Sequence, residues 1–321
     1  MSAPLRIGTR SSPLALAQSA WVADLLGART GHPAVLVPVE TTGDRWQRAA
    51  GDPTEVQGIF TRELEEALRS GAVDVCVHSA KDVPPLLPDG LGVVAFPPRA
   101  DARDALVVGA AVSPERLSAG ARVGTGSLRR ATQLRRLWPG VEVVPLRGNV
   151  DTRLGRVQAG DLDAVVLAAC GLERLGRAWE ISRVLAPAEM VPAAGQGALA
   201  LESALDSPVR PMLAALDHPA TRLAVTAERA VLAALGAGCS APVGVFAAGG
   251  ETGRLSLTAV VLGARSGEEV RAALDRPLPP EVLGDPAALA EAARAIADGA
   301  VAELLARGAA RLLAEAEGDA G

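Results

Sequence analysis

Aromatic residues are scarce in this sequence. It has no tyrosine, three phenylalanines and four tryptophans among 321 residues, so its cores must be built mainly from leucine, valine and alanine. Proteins that hold single-stranded nucleic acid usually stack the bases on aromatic side chains, and the net charge of −5 gives no overall attraction to phosphate backbones. These two features argue against a nucleic-acid-binding protein.

Lysine is nearly absent as well. It occurs once, at Lys81, so arginine supplies almost all of the 32 basic residues. The planar guanidinium group suits paired hydrogen bonds to carboxylates and phosphates. A GC-rich genome is an alternative explanation for the overall arginine count, and the positions of particular arginines are therefore more informative than their number.

Cysteine is rare, and the three present (Cys76, Cys170 and Cys239) form neither an even disulfide framework nor a metal-ligand spacing. We therefore predict no metal site. No apolar run reaches the roughly 18 residues needed to span a membrane, and the first residues lack the apolar segment of a signal peptide. The sequence predicts a cytoplasmic protein that does not associate with membranes.

The first two thirds of the chain alternate short β-branched runs with helical patterns, which is typical of α/β units. Predicted strands cover residues 5–9, 35–39, 73–77, 91–96, 122–124, 141–146 and 164–169. After the first of them, Ser12 can cap a helix and Pro13 can start it. A proline pair at 97–98 and a glycine-rich stretch at 192–197 predict two crossings between domains. The last third, with a helix at 221–235, strands at 243–247 and 255–262 and an alanine-rich helix from about 286, predicts a smaller α+β domain.

Polar residues collect after the predicted strands of the first two domains, where ligands bind in open α/β sheets. These clusters lie at residues 9–12, 78–82, 125–130, 147–149 and 170–171. Two such edges facing each other across the crossings would form one cleft. His78 in the second cluster is either a polar group lining that cleft or a strand cap.

The composition of these clusters predicts an anionic ligand. Thr125 and Ser127 precede a helix whose free N–H groups and dipole favour an anion, and nearby positions add the positive charge of Arg10, Arg129, Arg130, Arg147 and Arg153. The expected ligand is small and carries several carboxylates or phosphates. The alternative is that the arginines of the helix form a solvated face, which we expect for Arg135 and Arg136 but not for the first-turn Arg129 and Arg130.

A dinucleotide fingerprint fails because its third glycine position holds Arg129, and no phosphate-binding P-loop occurs.

Asp82 and Cys239 are the candidate chemical groups. Asp82 could cap a turn before Pro84, or its carboxylate could stabilise a cationic intermediate and carry protons. Cys239 lies in a loop of small residues with room for a bulky neighbour, whereas Cys76 and Cys170 are expected to be small buried residues.

Together these segments resemble the hydroxymethylbilane synthase (porphobilinogen deaminase) family. The resemblance rests on RIGTRSSPLAL at 6–16, VHSAKDVP at 77–84, VGTGSLRR at 123–130, LRGNVDTRL at 146–154, PAAGQG at 192–197 and the loop GAGCSAP at 236–242. These motifs occur in family order over nearly the whole chain. Each alone is a weak signal, and the set is specific.

The resemblance implies an α/β fold with two domains like the halves of type II periplasmic binding proteins, joined by a double crossover, plus a smaller C-terminal α+β domain. Domain 1 would comprise residues 1–98 plus about 197–217, domain 2 about 102–193 and domain 3 about 219–321. The family joins four porphobilinogen molecules on a dipyrromethane cofactor, releases ammonia each time, and hydrolyses off the linear tetrapyrrole. Family members are usually monomers.

Residue by residue, the resemblance implies that Asp82 is catalytic and that a thioether joins the cofactor to Cys239. It implies further cofactor contacts from Ser79, Lys81, Thr125, Ser127, Arg129, Arg130, Arg147 and Gly171. Substrate contacts are implied for Arg10, Ser12, Gln18, Phe60, Arg103, Arg147, Arg153 and Arg174.

Two positions depart from the family pattern. Gln57 stands where the family usually has lysine ahead of its Gly-Leu-Phe, so one anion contact is in question, and Ala237 separates Gly236 from Gly238 where glycines are usually consecutive. Two other functions remain open: a non-catalytic anion-binding protein of the two-domain periplasmic type, and a nucleotide-dependent transferase. The first leaves Asp82 and Cys239 unexplained, and the second lacks a phosphate loop.

Overall fold

The computed structural model describes residues 3–44, 61–84, 87–238 and 241–317. The chain forms two compact units: unit 1 comprises residues 1–100 and 198–222, and unit 2 comprises residues 101–197 and 223–321. Within the described ranges no helix is both long and apolar enough to cross a membrane. The predicted boundaries of three domains stay a prediction.

The strands are, in chain order, β1 Leu5–Arg10, β2 Ala34–Val39, β3 Val75–Ser79, β4 Leu91–Ala95, β5 Asp104–Val108, β6 Arg122–Gly124, β7 Glu142–Val144, β8 Ala164–Ala168, β9 Arg183–Leu185, β10 Leu199–Ala204, β11 Val243–Gly249, β12 Arg254–Leu262 and β13 Glu269–Pro277. The α-helices are α1 Pro13–Thr30, α2 Arg62–Arg69, α3 Leu128–Leu137, α4 Val150–Gln158, α5 Ala169–Arg174, α6 Arg210–Ala214, α7 Pro219–Ala234, α8 Pro286–Ala306 and α9 Ala309–Glu317. Single turns of 3-10 helix occupy Ala80–Asp82 and Ala178–Glu180.

The sheet of unit 1 has the strand order β2-β1-β3-β10-β4. β1 is parallel to β2 and β3, while β10 returns from the second crossing and is antiparallel to both β3 and β4. Its core includes Ile7, Leu26 and Leu201, all fully or almost fully buried. α1 starts where the sequence predicts, because the Ser12 hydroxyl accepts a hydrogen bond from the Ala15 N–H and proline occupies the first helical position.

The larger sheet of unit 2 repeats this arrangement with the order β7-β6-β8-β5-β9. β6 is parallel to β7 and β8, and β5 is antiparallel to β8 and β9. In each sheet the antiparallel strand comes directly after a crossing. This is the arrangement expected of two type II periplasmic-binding-protein-like domains with a double crossover.

The C-terminal part of unit 2 is a three-stranded antiparallel sheet, β11-β12-β13. Its core joins the sheet to α7, α8 and α9 through small and branched residues such as Ala227, Val245 and Ala297. The predicted smaller α+β domain, and with it the predicted fold class, is confirmed.

Several sequence-based boundaries were wrong. β1 extends to Arg10 and β3 runs to Ser79, so the polar residues His78 and Ser79 lie inside a strand and not after it. The sequence did not predict β5, β9, β10 or β13. β10 (LALESA) and β13 (EVRAALDRP) are composed largely of helix-favouring residues, and pairing with neighbouring strands overrides that propensity.

Candidate active site

The turn after β3 carries Lys81 and Asp82. Ala80–Asp82 forms one turn of 3-10 helix, and Val83 then has an extended backbone, as expected for the residue before a proline. The Ala80 N–H donates to the carbonyl of Ala198 at 3.0 Å. The turn is therefore fixed to the segment that enters β10, and Asp82 lies at the carboxyl end of β3.

The Asp82 side chain is exposed, whereas Lys81 is half-buried. No capping hydrogen bond from a side chain supports this turn, and within the described ranges no residue donates a hydrogen bond to the Asp82 carboxylate. The alternative that Asp82 serves as a turn cap before Pro84 therefore has no hydrogen bond in its favour. Its catalytic role stays a prediction.

Two other predicted site residues of unit 1 contact each other. The Gln18 amide donates to the Ser79 hydroxyl at 3.1 Å, joining α1 to β3 across 61 residues of sequence. Gln18 is buried and Ser79 is partly accessible. Ser12 lies at the start of the same helix, where its hydroxyl is used as the N-cap.

Arg10 is held by a buried acid that the sequence did not reveal. Its Nη2 lies 2.6 Å from Oδ1 of Asp44, and its Nε lies 3.1 Å from the same oxygen. The Thr41 hydroxyl also donates to Asp44 at 2.7 Å. Burial by itself would raise the pKa of Asp44, but the bonds from Arg10 and Thr41 hold it below its ordinary value. The predicted substrate contact of Arg10 stays a prediction.

His78 belongs to the strand pairing of unit 1. Its Nε2 lies 3.0 Å from Oε2 of Glu202, and both side chains are buried. Ala200 of β10 is paired with His78, and Glu202 with Cys76, so the His78–Glu202 contact is a diagonal one across the two strands. This buried pair joins β3 to β10 just before the turn that carries Asp82.

In unit 2, the loop before α3, residues 125–127, packs against the segment at Leu146. Thr125 Oγ1 accepts from the Ser127 N–H at 3.1 Å, and Ser127 Oγ accepts from the Arg130 N–H at 3.4 Å. A side chain at Gly126 would place its Cβ 2.8 Å from the carbonyl oxygen of Leu146, so only glycine fits there. The loop therefore lies directly against the segment that leads into Arg147.

Arg129 and Arg130 are buried and surround one carboxylate, that of Asp104. Arg129 Nη1 lies 2.7 Å from Asp104 Oδ2, and Arg130 Nη2 lies 2.8 Å from Oδ1. Asp104 is fully buried, and the side chain of Arg129 is 4% exposed. Gln196 completes the cluster, since its amide donates to Asp104 Oδ1 at 2.9 Å.

The charges in this cluster influence one another strongly. Burial would raise the pKa of Asp104, but the two arginines outweigh it and hold that pKa far below its ordinary range. Burial lowers the pKa of Arg129, and the neighbouring charge of Arg130 lowers it further against the opposing effect of Asp104. Arg129 and Arg130 are therefore not part of a solvated helix face, as predicted, and Arg135 and Arg136 are exposed, also as predicted.

Arg153 and Arg174 are partly buried cations near the same edge of the sheet. Arg153 Nε donates to the Gly148 carbonyl at 2.8 Å, and Arg174 Nη2 donates to the Gly197 carbonyl at 2.7 Å. Burial, together with the charge of Arg130, lowers the pKa of Arg153 to about 10. Burial likewise lowers the pKa of Arg174.

The remaining predicted residues of unit 2 differ in exposure. Arg147 is exposed, and so is Arg103, which forms an ion pair with Asp101 at 2.6 Å. Thr125 is buried, and Gly171 is buried within α5. Phe60, Gln57 and Cys239 lie outside the described residues, and their predicted roles stay predictions.

Sequence reasoning missed three acids and an amide that organise these sites: Asp44, Asp104, Glu202 and Gln196. Each is far in sequence from its partner, and Asp104 and Glu202 lie in strands that were not predicted. An acid at the start of an apolar run, as at Asp104, was the only local signal. Within the described ranges, no group of three or more His, Cys, Asp or Glu side chains is placed to hold a metal ion.

Comparison with known proteins assigns the chain to a family. Residues 5–209 match the family model described as porphobilinogen deaminase, dipyromethane cofactor binding domain, and residues 222–281 match the porphobilinogen deaminase C-terminal domain. The chain belongs to the porphobilinogen deaminase family. It therefore contains the family's domain for a dipyrromethane cofactor.

Relatives from two bacteria illustrate how much of the chain this family covers. A porphobilinogen deaminase of Roseiflexus is 48% identical over 84% of this chain and 89% of its own length. One from Nocardia farcinica is 46% identical over 97% of this chain and 88% of its own length. Among solved structures, the periplasmic VFT2 domain of Bordetella pertussis BvgS is 19% identical, with a TM-score of 0.39 over 66% of this chain and 86% of that one.

Proposed function

We propose that this member of the porphobilinogen deaminase family is a transferase that makes hydroxymethylbilane. Four porphobilinogen molecules are condensed in turn, each with loss of ammonia, on a dipyrromethane cofactor covalently bound to Cys239. The linear tetrapyrrole is then released by hydrolysis for tetrapyrrole and heme biosynthesis. Family membership supports the reaction, and the charge distribution of unit 2 supports the substrate class.

The observation that carries the proposal is the excess of buried positive charge in unit 2. The charge of Arg130 lowers the pKa of both Arg129 and Arg153, and within the described part of the chain Asp104 is the only acid that forms an ion pair with any of the three. Buried charges are stable only when paired. A ligand with several carboxylates supplies the missing negative charge, and porphobilinogen carries an acetate and a propionate.

The same residues fit the cofactor. A dipyrromethane carries the acetate and propionate groups of two pyrroles, and when bound it supplies a covalent attachment point for the growing chain. Arg129, Arg130, Arg153 and Arg174 would hold such carboxylates, while the N–H groups at the start of α3 add a favourable dipole. No part of this requires a metal ion or a nucleotide.

Asp82 is the proposed catalytic residue. Loss of ammonia from porphobilinogen breaks its C–N bond and leaves a cationic, electrophilic azafulvene, which an exposed carboxylate can stabilise. The same carboxylate can accept the proton that leaves the attacked ring carbon and pass it on. The Ala80–Ala198 hydrogen bond fixes the short turn, and with it the backbone of Asp82, at the carboxyl end of β3.

We further propose that the protein acts as a cytoplasmic monomer and binds no nucleic acid. The scarcity of aromatic residues and the net charge of −5 support the last point. The two described cysteines, Cys76 and Cys170, are free thiols, which suits a reducing compartment.

Intact mass and a colour reaction together test this function. The purified protein should exceed its sequence mass by one dipyrromethane and should react with acidic Ehrlich's reagent, and Cys239→Ser should abolish both signals. An unmodified protein with full activity would overturn the proposal. A non-catalytic anion-binding protein, the main alternative, should give neither signal.

A further inference from the structure

Asp104 organises the two most deeply buried arginines of unit 2. Its Oδ2 accepts from Arg129 Nη1 at 2.7 Å, and its Oδ1 accepts from Arg130 Nε at 3.0 Å and Nη2 at 2.8 Å. The carboxylate is fully buried, so the cluster contains no bulk water that could screen the two guanidinium groups from each other.

Backbone carbonyls and Gln196 fix the rest of the geometry. Arg129 Nη1 also donates to the carbonyl of Val191 at 2.7 Å, and Arg130 Nη1 donates to that of Val166 at 3.2 Å. Gln196 donates to Asp104 Oδ1 at 2.9 Å and to the Ala102 carbonyl at 2.7 Å. Each arginine is therefore held in one rotameric state.

A count of donors shows what these contacts leave for a ligand. A guanidinium group has five N–H donors. Arg129 uses only Nη1, so its Nε and Nη2 have no partner among residues 3–44, 61–84, 87–238 and 241–317. Arg130 donates from Nε and Nη2 to Asp104, from Nη2 also to Gln196 Oε1 at 3.4 Å, and from Nη1 to Val166, which leaves a single donor, on Nη1.

From this geometry we infer that Asp104 is a positioning residue: it holds Arg129 and Arg130 so that the Nε and Nη2 edge of Arg129 and one Nη1 hydrogen of Arg130 are presented to a ligand carboxylate. The inference rests on the proposed function, in which these arginines bind the carboxylates of porphobilinogen and of the cofactor. Asp104 itself takes no part in the chemistry.

The physical reason is that no neutral residue can replace Asp104. Two adjacent guanidinium groups repel each other, and only the charge between them offsets that repulsion. Asparagine has the same shape, but its amide nitrogen would meet an arginine donor, and one arginine would have to turn away. The ligand-facing edge would then be lost without any change at Asp82.

The test compares Asp104→Asn with Asp163→Asn. Asp163 precedes β8 at the opposite end of the same sheet and accepts from the Arg122 N–H at 2.7 Å, so this control removes a structural carboxylate away from the arginines. Steady-state rates are measured with porphobilinogen and normalised to the cofactor-loaded fraction found by intact mass. We expect Asp104→Asn to lower cofactor loading, or to raise KM by about 10- to 100-fold with a smaller change in kcat, since charge-assisted hydrogen bonds are misplaced.

A purely structural role for Asp104 would lower thermal stability and leave KM of the loaded protein unchanged, and that result would overturn the inference. Gln196→Met, which removes one neutral contact to Asp104, provides a second variant if Asp104→Asn does not fold, and it should raise KM severalfold. Arg153→Met distinguishes the positioning role of Asp104 from the proposed binding of carboxylates by the arginines. If Arg153→Met raises KM while the Asp104 and Gln196 variants do not, only the positioning role fails. If none changes KM or loading, the proposed binding of carboxylates by these arginines fails as well, whereas a parent protein that carries no cofactor and does not turn over porphobilinogen would refute the proposed function itself.

Discussion

Replacement of Arg129 by methionine tests the buried charge cluster directly. The change keeps most of the side-chain volume but removes the hydrogen bonds to Asp104 and to the carbonyl of Val191. Breaking a buried ion pair by removing one partner typically costs about 3–5 kcal/mol. Arg130 and Gln196 still contact Asp104, and Gln133 still donates to Val191 at 3.2 Å, so we expect the lower end, about 3 kcal/mol.

The matched control is Arg135→Met on the same helix. Arg135 is exposed, and surface substitutions usually change the free energy of unfolding by less than about 0.5 kcal/mol. Urea unfolding of the parent protein and both variants gives their free energies of unfolding, which can be compared directly if the dependence on urea concentration has the same slope in all three. Equal stabilities of the two variants would show that Arg129 behaves as a surface charge, contrary to the structure.

The pH dependence gives a second, independent result. The folded-state pKa of Asp104 is lowered, so its contribution to stability is complete above the unfolded-state value of about 3.9 and is lost as pH falls towards the folded value. The difference in the free energy of unfolding between the parent protein and Arg129→Met should therefore become smaller below about pH 4. A difference that stays constant down to the lowest pH at which the parent remains folded would contradict the assignment.

The remaining predictions concern Asp82 and the cysteines. Asp82→Asn should still bind porphobilinogen but release ammonia at least about a hundredfold more slowly in a single turnover, because it lacks a charge and a base that act in the transition state. Asp82→Glu keeps the carboxylate and should retain some activity. Ammonia release by the Asn variant at the parent rate would make Asp82 a structural residue. Burial raises the pKa of Cys76 well above its ordinary value and Cys170 is also buried, so neither should react quickly with a thiol reagent at pH 8 in the native protein. After denaturation the cofactor-loaded chain should show two reactive thiols, since Cys239 is blocked by its thioether; three would indicate that Cys239 is free.

The sequence predicted the parts of the fold that depend on local signals. Ser12 and Pro13 mark the start of α1, and alternating apolar runs mark the parallel strands of both larger sheets. β10 escaped prediction because its leucine, alanine and glutamate residues favour helix in isolation. It becomes a strand only through pairing with β3 and β4, which no short window of sequence contains.

The site shows the same division between local and long-range information. The positions after strands and before helices were enough to select Arg129, Arg130 and Asp82 as candidates. These positions did not identify the partners of the arginines, because Asp104 lies 25 residues from Arg129 along the chain and Gln196 lies 66 residues from Arg130. From the sequence alone, an acidic residue that pairs with a buried arginine cannot be distinguished from one that contacts a substrate, because the difference depends on which strands are neighbours in the sheet.

The most direct test of the central claim is the intact mass of the protein after brief exposure to limiting porphobilinogen. Stepwise condensation on a tethered cofactor predicts a series of covalent species above the cofactor-loaded mass, spaced by one porphobilinogen less one ammonia, and predicts that Cys239→Ser forms none of them. Formation of the linear tetrapyrrole by a protein whose mass never changes would contradict the account.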